Sequence, residues 1–138
     1  MGMEVRLSLS LPRDRSTVPL TRRVLDAALA VFSVTKECRD DIGLAIGEAC
    51  ANAVQHAGTD YEVTVTIHED RCIIDVVDEG TGLEEIAEVP DAPPDAEAGR
   101  GLKIIHALAD IVELRRRQPR GMALRIVKLL TRTTPAYS

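Results

Sequence analysis

The chain has 138 residues, 45% of them hydrophobic and 28% charged, and no apolar run reaches the roughly 18 residues of a membrane span, so one globular domain with its own core is expected. A net charge of −5 and an aromatic content of 2% argue against nucleic-acid binding, which needs a basic face or stacking platforms. Cys38, Cys50 and Cys72 are odd in number and form no CxxC pattern, so neither a disulfide framework nor a zinc site is suggested; with no secretory layout at the N-terminus, a cytoplasmic protein is the expectation.

The stretch "EVRLSLSLP" alternates, with Val5, Leu7, Leu9 and Leu11 on one face. That pattern predicts a half-buried strand stopped by Pro12. "DRSTVPLTRRVLDAALAVFSV" then turns helical. Ser16 or Thr17 can cap it, Pro19 suits a first turn, and Val24, Leu25, Ala28, Leu29 and Phe32 form its apolar stripe. A second helix is predicted from about Lys36 to Ala57. Ile42, Ala45, Ile46, Ala49, Ala53 and Val54 face inward, and Gly58 caps its C-terminus.

"EVTVTIHEDRCIIDVVDEG" reads as a hairpin with strands Tyr61–His68 and Cys72–Val77 and a turn at Glu69–Arg71. Its second strand is nearly all apolar, the mark of a central strand. Between Glu84 and Ala98 stand three prolines, six acidic residues and no basic one. This is a long loop of the kind that serves as a lid or linker. "GRGLKIIHALADIV" resumes as a helix with Leu102, Ile105, Leu108 and Ala109 inward. "IVELRRRQPRGMALRIVKLL" closes as a second hairpin turning at Gln118–Gly121, followed by a frayed tail, "TRTTPAYS". The order β-α-α-β-β-loop-α-β-β predicts an α+β two-layer sandwich, a mainly antiparallel mixed sheet covered by helices, with residues 1–138 as one domain.

Three places carry chemistry. Glu48, Asn52 and His56 are spaced by four in the second helix and share one face. A carboxylate there can act as a general base, and an amide oxygen is a hard ligand suited to Mg²⁺. The plain alternative is a solvated helix face. Asp78 ends the central strand and is followed by Gly80 and Gly82. An aspartate so placed can accept a hydrogen bond from an exocyclic amine, while glycines admit a flat ligand; an ordinary strand-to-loop turn looks the same. Gly99 and Gly101 precede the third helix, whose N–H groups can meet phosphate with help from Arg100 and Lys103. Neither a P-loop nor a Rossmann fingerprint is present.

In sequence order these give E-x-x-x-N on a helix, D-x-G-x-G 26 residues on, an acidic loop, and G-x-G opening a helix. In that order the chain resembles the GHKL ATP-binding fold of sensor histidine kinases, gyrase B and MutL. Within that fold it is most similar to the small anti-sigma-factor serine/threonine kinases. "EACANAVQHA" resembles their N-box, "DEGTGL" their first glycine box and "GRGLKII" their second, over about Leu7 to Lys128. The resemblance implies ATP and Mg²⁺ as cofactors. It assigns Glu48 as general base and Asn52 as the Mg²⁺ ligand. It places Asp78 at the adenine amine, with Gly80 and Gly82 beside it, and makes Gly99 and Gly101 the hinge glycines of the acidic lid.

It further implies a STAS-type anti-anti-sigma partner bearing the accepting serine or threonine, a sigma factor held in turn, and a homodimer. Where many relatives carry Gly-Thr in the last hairpin, this chain has Gly121–Met122. That change and the acidic lid favour the alternative of a module that binds ATP without transferring phosphate. A histidine-kinase half is a third reading, and it needs its histidine domain on another polypeptide. His56 is expected to be a helix-end residue near the dipole's negative pole. Arg115 to Arg120 read as a solvated hairpin tip.

Overall fold

Alternation and helical periodicity both translate directly into elements. The computed structural model describes residues 4–80, 97–117 and 120–133, with the side chains of 56–57 and 97–99 outside the described set. In chain order it runs β1 (Val5–Leu11), α1 (Thr17–Val31), α2 (Lys36–Asn52), a π turn (Ala53–Ala57), β2 (Tyr61–Ile67) and β3 (Arg71–Asp78). It continues with α3 (Glu97–Leu108), β4 (Ile111–Arg116) and β5 (Met122–Leu129). The strands form one sheet in the order β1-β2-β3-β5-β4. All four pairings are antiparallel, so the mixed sheet expected from the sequence narrows to a wholly antiparallel one among the described residues.

β3 lies in the middle of the sheet, as its apolar run predicts. Leu9, Val63, Val76 and Leu124 are cross-strand partners in one row. With Ile74, Ile126 and Tyr61 they present one face of the sheet to the helices. There Leu25 and Leu29 of α1, Ile42, Ile46 and Ala49 of α2, and Ile105 of α3 complete the core. Each large aliphatic side chain buried here contributes about 1.5–3 kcal/mol. All three cysteines are free and buried. Desolvation pushes the Cys50 thiol up to about 11 and that of Cys72 up to about 12, so both stay neutral and unreactive.

Three local features depart from the sequence reading. Neither Ser16 nor Thr17 caps α1 with its side chain toward the helix. Asp14 organises that start instead, accepting from the Ser16 N–H and Ser16 hydroxyl at 2.9 Å, while the Thr17 hydroxyl donates back to the Asp14 carbonyl. The second helix changes to a π turn after Asn52 before Gly58 ends it in the left-handed region, at φ 77°. The Val54 carbonyl in that widened turn accepts from Arg13 Nε at 2.8 Å. Finally, the tail is held as far as Thr133. Arg132 pairs with Val34 and donates to the carbonyls of Phe32, His68 and Glu69, and Thr133 N–H bonds the Ser33 carbonyl.

Candidate functional site

The sequence leaves open whether Glu48 and Asn52 face solvent or something else. They face α3. A Cβ placed on Gly101 would lie 3.1 Å from Glu48 Oε1 and 3.4 Å from both amide atoms of Asn52. One residue of α3 thus lies against both side chains with no side chain of its own between them. Glu48 stays partly exposed, whereas Asn52 is 6% exposed. The Asn52 amide nitrogen is fully enclosed and meets no hydrogen-bond acceptor among the described residues.

Asp78 is the opposite pole. It closes β3 at 3% exposure, opposite Tyr61 on β2 and Met122 on β5. Its carboxylate accepts from the Gly80 N–H at 2.9 Å and from the Met122 backbone. Desolvation raises its pKa above the ordinary value; those two hydrogen bonds and the nearby Arg117 charge pull it back only in part. Asn52 and Asp78 line one cavity with Ala53, Leu102, Leu114 and Met122. Its volume is about 10 Å³, room for about one water against the roughly 300–1,000 Å³ of a ligand pocket. A nucleotide does not fit in it unless an element lining it moves.

The expected site residues fall into three groups. Glu48, Asn52, Asp78 and Gly101 converge as the spacing suggests, and Gly80 is buried beside Asp78. Arg100 and Lys103 are exposed, and at 100° per residue Lys103 lies on the side of α3 away from Gly101. Gly82, most of the acidic stretch and the side chain of His56 lie outside the described residues. One expectation is corrected: α3 begins at Glu97, so Gly99 and Gly101 lie inside the helix rather than before it. The free N–H groups of a helix start therefore belong to its first turn, ahead of Gly101. The continuous helix is what lets the Gly101 backbone press against α2.

The sequence reading missed two residues. Arg117 is not a solvated tip residue: its guanidinium donates to the Asp78 carbonyl at 3.0 Å. Gly121, with φ 106°, lies so close that a Cβ would come within 2.2 Å of the same carbonyl. Glycine at a hairpin end was the available signal for Gly121; nothing in an arginine run singles out Arg117.

With this geometry in place, comparison with known proteins defines the class. A family model described as "Histidine kinase-like ATPase domain" matches residues 11–128, and the chain belongs to that family. Among its relatives is the serine-protein kinase RsbW of Bacillus pumilus, 30% identical over 142 aligned positions, 91% of this chain and 86% of that protein. RsbW of Listeria innocua is 32% identical over 126 positions, 81% of this chain and 80% of that protein. The RsbU and RsbW domains of Rv1364c from Mycobacterium tuberculosis share the fold at a TM-score of 0.73 and 19% identity. They cover 94% of this chain, which spans only 34% of that longer one. A chain of the SiaB–SiaC complex from Pseudomonas aeruginosa shares it at a TM-score of 0.67 and 17% identity, covering 88% and 89%.

Proposed function

We propose that this chain, acting as a single domain over residues 1–138, is a Mg-ATP-dependent serine/threonine-protein kinase. In this reading it is a cytoplasmic, homodimeric anti-sigma factor that phosphorylates a STAS-type anti-anti-sigma protein. The relatives named serine-protein kinase support the class of activity. The observation that carries the site is the contact of Gly101 with both Glu48 and Asn52, one enclosed cavity away from Asp78. No described helix is long and apolar enough to cross a membrane.

The residues suit a magnesium nucleotide. No group of three or more His, Cys, Asp or Glu side chains among the described residues can hold a metal unaided. That is the situation of Mg²⁺, which takes one or two protein oxygens and fills its octahedron with phosphate and water. The unpaired Asn52 amide, rotated by half a turn about its last bond, offers the oxygen. Mg²⁺ bound there would offset the triphosphate charge. The chain's own residues do the rest. The Asp78 carboxylate accepts the base's exocyclic amine. Glu48, one turn from Asn52 and open to solvent on one side, takes the proton from the partner's attacking hydroxyl. The phosphate transferred to the partner adds about −1.5 to −2 charges, enough to weaken a packed interface and free this chain for a sigma factor.

One observation favours a second reading, a nucleotide-binding module without transfer. Met122 is buried on the cavity wall, where its thioether can donate no hydrogen bond. Incubation with labelled ATP and a STAS-type partner separates the two. Label on a partner serine or threonine, lowered about 10²–10⁴-fold by Glu48→Ala, is expected of the kinase. Nucleotide binding with no label leaves only the module.

A further inference from the structure

The end of the β4–β5 hairpin does more than turn the chain. Arg117 N–H bonds the Gly121 carbonyl at 2.9 Å and closes the hairpin. That closure aims the Arg117 side chain at β3, where Nη1 donates to the Asp78 main-chain carbonyl at 3.0 Å. Gly121 presses on the same carbonyl from the β5 side. The next residue, Met122, gives its backbone N–H to the Asp78 carboxylate. Backbone and side chain of Asp78 are therefore gripped by three residues of one hairpin. Arg117 also borders a hollow of about 440 Å³ there, with Asp60, Glu62 and Glu79. Among the described charged groups lining that hollow Arg117 is the one cation.

We propose that Arg117 is a positioning residue for base recognition: by fixing the Asp78 main chain it fixes the direction in which the Asp78 carboxylate meets the amine of an adenine nucleotide. This rests on the reading of Asp78 as the base acceptor given above. A charged donor on a carbonyl is among the stronger hydrogen bonds. A carboxylate free to swing loses the fixed geometry on which discrimination between an amine and a carbonyl depends. Arg117 touches neither nucleotide nor partner in this scheme; it acts through Asp78.

Binding of ATP and of inosine triphosphate, which carries a carbonyl where ATP has the amine, tests it by calorimetry on the full chain with Mg²⁺. Wild type is expected to prefer ATP. Arg117→Met is expected to weaken ATP about tenfold and leave inosine triphosphate unchanged, so that the preference collapses. Arg117→Lys, which keeps one donor and the charge, is expected to restore part of it. Equal weakening of both nucleotides means a general structural role and overturns the proposal, as does an undiminished preference in Arg117→Met. If Arg117→Met does not fold, Arg117→Lys and Arg117→Gln decide by the same ratio. A wild type that does not distinguish the two nucleotides overturns the reading of Asp78 itself, and the proposal with it.

Discussion

Asn52 and Asp78 sit on either side of one small cavity, both nearly withdrawn from water, yet their surroundings treat them differently. Every contact of Asp78 is met from within the chain: Gly80 and Met122 bond its carboxylate, and Arg117 and Gly121 hold its carbonyl. Asn52 has an amide nitrogen that no acceptor among the described residues meets, with a glycine of α3 resting on it. Under the proposed function, the end that meets the base is built in advance on strands, while the end that meets the phosphates is made where two helices meet. Sites on strands hold their geometry closely, and the opening that the proposed function asks of the α2–α3 contact falls on a helix with little side chain to displace.

The contrast can be broken at either pole. The largest effect on stability is expected at the base end. Gly121→Ala puts a methyl group 2.2 Å from the Asp78 carbonyl at φ 106°. Neither backbone can yield, and the loss should reach about 3 kcal/mol or more in urea unfolding. A mild loss there would mean that the hairpin end is loose and Asp78 is not held.

Asp78→Asn has a smaller effect that depends on pH. Burial, the largest influence, raises the carboxyl above its usual 3.8. The folded chain therefore binds this proton more tightly than the unfolded chain does. The stability the group contributes is complete in acid, below its unfolded pKa, and is lost as pH climbs through the raised folded value. Asparagine does not titrate, so the variant should gain on wild type at neutral pH and lose that gain in acid, read as the difference between their unfolding midpoints. The same variant should lose its preference for an adenine base. A gain that grows toward acid would reverse the assignment.

The smallest change is expected at Gly101. There the methyl of Gly101→Ala meets Glu48 Oε1 at 3.1 Å, the movable end of a side chain. The helix itself gains up to about 1 kcal/mol from the exchange. Stability should therefore shift by less than about 1 kcal/mol in either direction, in contrast with Gly121→Ala. A loss as large as at Gly121 would show the α2–α3 contact to be as rigid as the hairpin.

Much of this was legible because local pattern and burial agree. The alternation of Val5 to Leu11 gave β1, and the apolar run through Val77 gave the central strand. Gly58 took the left-handed cap expected of it. Glu48 and Asn52 were readable as a pair because helical spacing alone puts them on one face. What they face was not readable, since that depends on α3, distant in sequence. The start of α3 was misplaced because two glycines read as a break. Their lack of a side chain serves close approach to α2 instead. Arg117 was invisible for a similar reason: a run of arginines says nothing about which one folds back onto a strand, and only the register Asp78↔Met122 brings that hairpin end beside β3.

A crystal structure with Mg²⁺ and a non-hydrolysable ATP analogue tests the central claim most directly. Expected are α3 displaced from Glu48, the Asn52 amide oxygen about 2.1 Å from the metal, and the base amine about 2.9 Å from an Asp78 carboxylate oxygen. A nucleotide seated elsewhere, such as the hollow between α1 and α2 lined by Arg22 and Arg39, with Asn52 still covered by Gly101, would contradict it.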